Sequence, residues 1–262
     1  MSAIITSIYN CPVKSISFQN IDKCKINKNI GIEGDRVFAF SQNLDLYQSK
    51  EFEKNPEARK GKWNKIVTLK NTPVFNKYNF LYENNKLTLI IKDKEIITIN
   101  VNDSNERDNL VKKLIELEGS LKNDIRLMKN DEHPFYDTSI SNKSMFRNSI
   151  SLLNINSIKD FENKIDQKIE KSVFRGNLYF DGIDAWEERN WIGKTLKINN
   201  VLFNVEKNIP RCVAINLKPK TDDNSFNLLK NLKQTYDHYD MGVYLTPKNE
   251  GEIILLDKIQ II

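Results

Sequence analysis

Residues 86–101, KLTLIIKDKEIITINV, hold the pattern from which the fold class is predicted. Two runs rich in leucine, isoleucine and threonine flank Asp93, a residue type that favours turns. Similar runs recur about every ten residues, a spacing that favours barrels or sandwiches over a βαβ sheet. They lie at 3–9, 36–40, 65–69, 177–180, 194–198, 201–206, 212–217, 241–245 and 252–256.

Three segments have helical spacing of their apolar residues, namely 105–118, 158–169 and 226–235. Asp103 or Ser104 is a suitable cap for the first, and Gly119 a suitable end. Ser157 precedes the second, and Asp160 follows three residues later, as in a variant of the capping box. We expect all three to be packing helices.

A boundary is predicted near residue 120, where the first helix ends. A polar stretch, 129–145, follows and is expected to be a long surface loop. We therefore predict two domains, 1–120 and 121–262. The predicted fold class is α+β and strand-rich, with two β-barrel-like subdomains and a few packing helices.

The composition excludes several classes of protein. The 262 residues include 40 Lys+Arg and 35 Asp+Glu, and a net charge of +5 is too mild for a dedicated nucleic-acid binder. Three cysteines cannot form a disulfide framework or supply the four thiolates of an iron–sulfur cluster. The two histidines are far apart, and no glycine-rich nucleotide motif is present.

The N-terminal residues, MSAIITSIYN, lack both a basic segment and a long apolar segment, so we expect no signal peptide. No run approaches the ~18 apolar residues of a membrane span. The sequence thus predicts a soluble, cytoplasmic protein without a membrane span.

Four short motifs carry the candidate chemistry: CPVKSI (11–16), GIEGDR (31–36), FRGN (174–177) and IPRCV (209–213). Lysine, serine and arginine side chains in them can donate hydrogen bonds to an anion. Cys212 follows Arg211, and an adjacent arginine favours the thiolate, the form that binds metals. Taken alone, CPVKSI and GIEGDR are better explained as ordinary surface turns, and a lone cysteine in a strand is usually a small buried hydrophobic residue. Cys11 and Cys24 lack such neighbours and are predicted to be packing residues.

In this order the motifs resemble the MOSC family, molybdenum-cofactor-binding domains preceded by an N-terminal β-barrel domain. The pattern is most similar to the amidoxime-reducing components and to bacterial reductases of hydroxylamino compounds. The resemblance extends over most of the chain, through residues 47–49, 149–153, 186–191, 228–230 and 242–244. On this basis 1–120 would be the N-terminal barrel domain and 121–262 the MOSC domain.

The resemblance implies a molybdenum cofactor (Mo-pyranopterin) and its site. Cys212 matches the cysteine that ligates molybdenum and would be the catalytic residue. Positions that hold the cofactor's phosphate and pterin are matched by Lys14, Ser15, Arg36, Ser149, Arg175, Asn177, Arg211 and Tyr244. The family usually has proline where this chain has Gly176, so a looser turn is expected there.

The implied activity is the reduction of N-hydroxylated compounds such as hydroxylamines, amidoximes or N-hydroxylated bases. Too few cysteines are present for an electron relay, so a separate donor of the ferredoxin, flavin or cytochrome b5 type is expected. The alternative is a non-catalytic carrier of the cofactor or of sulfur on Cys212. A nucleic-acid-binding barrel rests only on the net charge, and we expect no nucleic-acid partner.

Overall fold

The structure is a computed structural model that describes residues 3–16, 18–121, 124–136 and 148–262. Within these ranges it contains sixteen strands and four α-helices, which confirms the α+β, strand-rich class. The strands are β1 (Ile4–Asn10), β2 (Gln19–Ile21), β3 (Lys23–Asn27), β4 (Gly31–Ile32), β5 (Phe38–Ser41), β6 (Tyr78–Glu83), β7 (Lys86–Ile91), β8 (Lys94–Asn100), β9 (Arg126–Lys129), β10 (Ile150–Asn154), β11 (Leu178–Asp181), β12 (Thr195–Ile198), β13 (Val201–Pro210), β14 (Asp240–Pro247), β15 (Gly251–Ile254) and β16 (Ile259–Ile261). The helices are α1 (Leu46–Lys54), α2 (Ser104–Leu117), α3 (Ile155–Ile165) and α4 (Leu228–Tyr236).

The chain forms two compact units, each assembled from separated segments. Unit 1 comprises Met1–Asn10, Asn20–Glu33 and Phe146–Ile262, and unit 2 comprises Cys11–Gln19 and Gly34–Met145. The division of the chain into two domains, 1–120 and 121–262, stays a prediction.

Unit 1 is built on an eight-stranded sheet in the order β16-β12-β13-β14-β10-β11-β1-β2. Alternate residues of its strands, such as Leu196 and Ile198 of β12 and Phe203 of β13, are fully buried in one apolar core. β10 and β11 pair in parallel, so the chain must cross over between them. This crossover contains α3 and a 3₁₀ helix, Lys171–Phe174, which leads into the FRGN motif.

Unit 2 contains the three-stranded meander β6-β7-β8, which includes the hairpin predicted from residues 86–101. Ile91 pairs with Lys94 across a two-residue turn, and both turn residues, Lys92 and Asp93, have positive φ. This conformation is typical of the tight hairpin turns that match the twist of a sheet. The expectation of a strand–turn–strand unit is therefore confirmed.

Two predicted strands are wrong. Residues 65–69 contribute only the end of a 3₁₀ helix, Trp63–Lys65, and one bridge from Ile66 to Ser41. Residues 212–217 form a 3₁₀ helix, Val213–Asn216, in place of a strand. The reason is that β13 pairs with β14 only as far as Pro210 and Asp240, and a strand needs a neighbour to pair its backbone groups.

Helices are present at all three predicted segments, but their first residues differ from the predicted ones. Asp103 caps α2 as predicted, because its carboxylate accepts from the Asn105 and Glu106 N–H groups. Asn154, and not Ser157, caps α3, because its amide oxygen accepts from the Asn156 N–H group. The predicted capping box at Ser157 is wrong.

Two further differences concern segments of low apolar content. α1 was missed, although Asp45 and Gln48 form a capping box at its start. In the polar stretch 129–145, Lys129 still belongs to β9, and residues 137–147 lie outside the described ranges.

Candidate functional site

Two turns of unit 1 carry four of the predicted site residues. One is the FRGN turn (174–177), between the 3₁₀ helix Lys171–Phe174 and β11. The other, which we call the Arg-Cys turn (211–212), joins β13 to the 3₁₀ helix Val213–Asn216. The Arg211 Nη1 group donates to the Phe174 carbonyl over 2.6 Å, so the two turns lie side by side.

The Arg211 side chain is a clamp between backbone segments. Its Nε group donates to the Met241 carbonyl over 3.0 Å, and its Nη2 group donates to the same oxygen. Its backbone N–H donates to the Tyr239 carbonyl over 2.9 Å. Arg211 therefore fixes the Arg-Cys turn against both the FRGN turn and the beginning of β14.

Cys212 presents its thiol to solvent, whereas Cys11 and Cys24 are buried. Its backbone is extended, with φ −118° and ψ 176°, and its carbonyl accepts from the Ile215 N–H group over 3.2 Å. The next residue, Val213, is 47% exposed. The prediction that Cys11 and Cys24 are packing residues, whereas Cys212 is not, agrees with the burial of these three residues.

The FRGN turn is tightly held. Arg175 has φ 52°, and its N–H donates to the Ser172 carbonyl. The Gly176 N–H donates over 3.0 Å to the Tyr179 hydroxyl, which donates over 2.9 Å to the Lys171 carbonyl. A Cβ at Gly176 would lie 2.4 Å from the Leu153 Cδ1 atom. The buried Tyr179 hydroxyl therefore holds the backbone of this turn, and the expectation of a looser turn than one with proline stays a prediction.

Asn177 is 1% exposed and joins three strands. Its Oδ1 atom accepts from the Ser151 hydroxyl over 2.8 Å, and its Nδ2 group donates to the Tyr9 carbonyl over 3.3 Å. Its backbone N–H donates to the Ser151 hydroxyl oxygen over 2.8 Å. Asn177 thus ties the end of the FRGN turn to β1 and β10.

Ser149 and Tyr244 belong to the same unit. Ser149 is buried directly before β10, and Tyr244 lies on the adjacent strand β14, opposite Ser151. The Lys207 ammonium lies 6.0 Å from the centre of the Tyr244 ring, within cation–π range. Tyr244 therefore lies on one strand of the central β14–β10 pair, and Ser149 lies just before the other.

Lys14, Ser15 and Arg36 are brought together within unit 2. A bridge pairs Val13 with Phe38, and the Arg36 N–H donates to the Cys11 carbonyl over 2.7 Å. The Arg36 guanidinium forms an ion pair with the Asp35 carboxylate, which also accepts from the Cys11 N–H group over 2.7 Å. Ser15 and Arg36 both have positive φ, 64° and 55°. Lys14 is 4% exposed.

A comparison with protein families matches the part of the chain that contains the FRGN turn and the Arg-Cys turn. A family model described as MOSC domain matches residues 136–260. This segment is the part of the chain that resembles a MOSC domain. MOSC domains are associated with binding of the molybdenum cofactor. A search of the curated proteins found no match to the chain.

Solved structures similar to the chain share little sequence with it. The YUAD protein from Bacillus subtilis is 11% identical, with 99% of this chain and 94% of that chain covered and a TM-score of 0.44. YiiM from Geobacillus stearothermophilus is 17% identical and YiiM from Escherichia coli 13%, each with a TM-score of 0.35. In both, the match covers 43% of this chain and 53% of the YiiM chain.

The residue types of the MOSC domain fit a cofactor that brings most of its own metal ligands. No group of three or more His, Cys, Asp or Glu side chains suited to a metal ion is found within the described ranges. Cys212 is instead a single exposed cysteine, which follows Arg211 on the Arg-Cys turn. One soft sulfur ligand suits a molybdenum centre whose other ligands come from the cofactor.

In the part of the chain that the structure describes, no helix has the length and apolar character needed to cross a membrane.

The sequence did not indicate Glu188 as a buried residue of the MOSC domain. Glu188 is fully buried, although glutamate is almost never fully buried unless it is paired. Its carboxylate accepts from the Ser157 hydroxyl over 2.8 Å and from the Asn154 Nδ2 group over 3.0 Å. Burial raises the pKa of the Glu188 carboxyl. Only the spacing from Trp191, which shares its 3₁₀ helix, could have indicated an inward position.

Proposed function

We propose that this protein binds the molybdenum cofactor through Cys212 and reduces N-hydroxylated compounds with electrons from a separate protein. The observation that carries the proposal is the exposed Cys212 on a turn that Arg211 joins to the FRGN turn. Both turns lie within the segment matched by the MOSC model.

Each predicted residue has a distinct role in this proposal. Cys212 would hold the metal as a thiolate, for which its exposure is required. Arg175 would donate charge-assisted hydrogen bonds to the phosphate or pterin of the cofactor. Lys14 and Arg36, which belong to unit 2, stay predicted cofactor-binding residues. Arg211 and Asn177 would act by orienting the two turns, because their donors bind backbone and side-chain groups of the protein. Ser15, Ser149 and Tyr244 remain predicted cofactor-binding residues.

The cofactor would supply the two-electron chemistry, and the protein would supply the thiolate, orientation and access. Reduction of an N–OH group to N–H consumes two electrons and two protons and releases one water molecule. The electrons require a partner, since three cysteines, two of them buried, cannot hold an iron–sulfur cluster.

The test is the metal and pterin content of purified protein. Wild type and Cys212→Ala are expressed in hosts with and without cofactor synthesis, and molybdenum and pterin are measured per chain. We expect both in wild type from the competent host only, and loss of molybdenum and of reductase activity in Cys212→Ala. Cys24→Ala, at a buried thiol, should retain both. Metal-free wild type from the competent host, or turnover by cofactor-loaded Cys212→Ala, would refute the proposal.

The exposure of Cys212 also suits a second function, a carrier of the cofactor or of sulfur without reductase activity. An exposed thiol can accept a sulfur atom from a donor persulfide and pass it on. Mass spectrometry of the isolated protein distinguishes the two functions. A persulfide on Cys212, together with absence of reduction by any electron donor, would favour the carrier.

A further inference from the structure

Lys171 lies next to the FRGN turn and belongs to none of the motifs in the sequence. Its half-buried ammonium donates to the hydroxyl of Ser7, which is 8% exposed. The same ammonium lies 5.7 Å from the centre of the Tyr9 ring and 5.1 Å from that of Tyr179. Two phenol rings and a hydroxyl are neutral partners, so they hold the charge in place without cancelling it.

No carboxylate within the described ranges forms an ion pair with Lys171. The nearest acidic residue in sequence, Glu170, instead accepts from the Ser172 hydroxyl. The ammonium has three N–H donors, and Ser7 is its one hydrogen-bond acceptor among the described residues. A partly desolvated cation with donors to spare is suited to an anion.

The position of Lys171 relates it to the predicted cofactor site. Lys171 begins the 3₁₀ helix that ends before Arg175, and the Tyr179 hydroxyl closes this segment by bonding the Lys171 carbonyl and the Gly176 N–H. Arg211 reaches the same segment at the Phe174 carbonyl. The segment 171–176 thus contains two cationic residues, Lys171 and Arg175, and accepts a hydrogen bond from a third, Arg211.

We propose that Lys171 is a further anion-binding residue, which together with Arg175 takes a phosphate monoester group. The inference rests on the proposed function in so far as this group is the phosphate of the cofactor. Burial lowers the pKa of the Lys171 ammonium, and an adjoining dianion would raise it again.

The experiment uses inorganic phosphate as the probe and the full chain from a host without cofactor synthesis. Phosphate affinity is measured by calorimetry at constant ionic strength for wild type, Lys171→Met, Lys171→Arg and Lys168→Met. We expect Lys171→Met to bind phosphate about tenfold more weakly, the factor given by about 1.4 kcal/mol of charge-assisted hydrogen bonding. Lys171→Arg should retain most of the affinity, and Lys168→Met, at an exposed lysine, should retain all of it.

A measurement on wild type keeps the test valid if Lys171→Met does not fold. The acetylation rate of each lysine is followed by mass spectrometry with and without phosphate. Phosphate should slow acetylation of Lys171 and leave Lys168 unchanged. Absence of phosphate binding by wild type, equal affinities of wild type and Lys171→Met, or unprotected Lys171 would overturn the inference.

The same experiments separate this inference from the proposed function. Wild type that contains molybdenum and pterin, but whose phosphate affinity does not depend on Lys171, would refute the inference alone. Protection of Lys171 by phosphate in a protein that never acquires molybdenum or pterin would refute the proposed function and support a phosphate site.

Discussion

Gly176 and Tyr179 show at the scale of single residues how the turn that carries Arg175 is held. The Gly176 N–H group can donate to the Tyr179 hydroxyl, a bond that proline at this position could not make. Tyr179 is fully buried, so its hydroxyl needs both partners, Gly176 and Lys171. The conformation of the turn is thus held by a hydrogen bond to the side chain of Tyr179, three positions later in the sequence.

Removal of this hydroxyl should weaken the protein. In Tyr179→Phe, the Gly176 N–H and the Lys171 carbonyl lose a buried partner, and we expect a loss of about 1–3 kcal/mol in the free energy of unfolding. Denaturant unfolding measures it. Tyr47→Phe, at a tyrosine 78% exposed, is the matched control and should change little. Equal stability of the two variants would contradict the assignment.

The buried Glu188 predicts a pH dependence. Because burial raises the pKa of its carboxyl in the folded state, the folded protein binds this proton more tightly than the unfolded chain does. The free energy of unfolding should therefore increase as the pH falls from above the raised pKa towards the ordinary glutamate value. In that range the Glu188 carboxylate becomes protonated, and the free-energy cost of burying its charge is removed.

The measurement compares wild type with Glu188→Gln by denaturant unfolding across this pH range. Wild type should gain stability relative to Glu188→Gln as the pH falls, because only wild type titrates at position 188. The comparison removes the contribution of groups such as Asp181, whose pKa is lowered in the folded state. A pH-independent difference would show that Glu188 has no raised pKa.

At the scale of elements, helices and strands begin and end where their backbone N–H and C=O groups gain or lose hydrogen-bond partners. α2 begins where Asp103 accepts from two backbone N–H groups, a pattern visible in the sequence. The Arg-Cys turn follows β13 because the pairing of β13 with β14 ends at Pro210 and Asp240, which no local pattern shows. Consequently the sequence predicted Cys212 to lie in a strand, whereas it lies in an exposed turn.

The cap of α2 is testable. Asp103→Ala leaves the Asn105 and Glu106 N–H groups without their acceptor and should lower the free energy of unfolding by about 1 kcal/mol. Asp108→Ala, at an exposed position within the same helix, is the control and should not destabilise. Equal effects of the two substitutions on the denaturation midpoint would exclude a capping role for Asp103.

At the scale of the whole molecule, the predicted site residues are divided between the two units. Six of the nine belong to unit 1, and Lys14, Ser15 and Arg36 belong to unit 2. Each unit is assembled from segments that are separated in the sequence. The grouping of residues 11–16 with 34–36 within unit 2 follows from the bridge between Val13 and Phe38.

The sequence by itself determined the strand-rich class, the hairpin of residues 86–101, the three packing helices and the order of the four motifs. These depend on periodicity, turn residues and caps, which are local properties of neighbouring residues. The tertiary structure alone decided the clamp of Arg211, the bond between Gly176 and Tyr179, the burial of Glu188 and the neutral surroundings of Lys171. Each depends on groups far apart in the chain, and only packing determines which donor meets which acceptor.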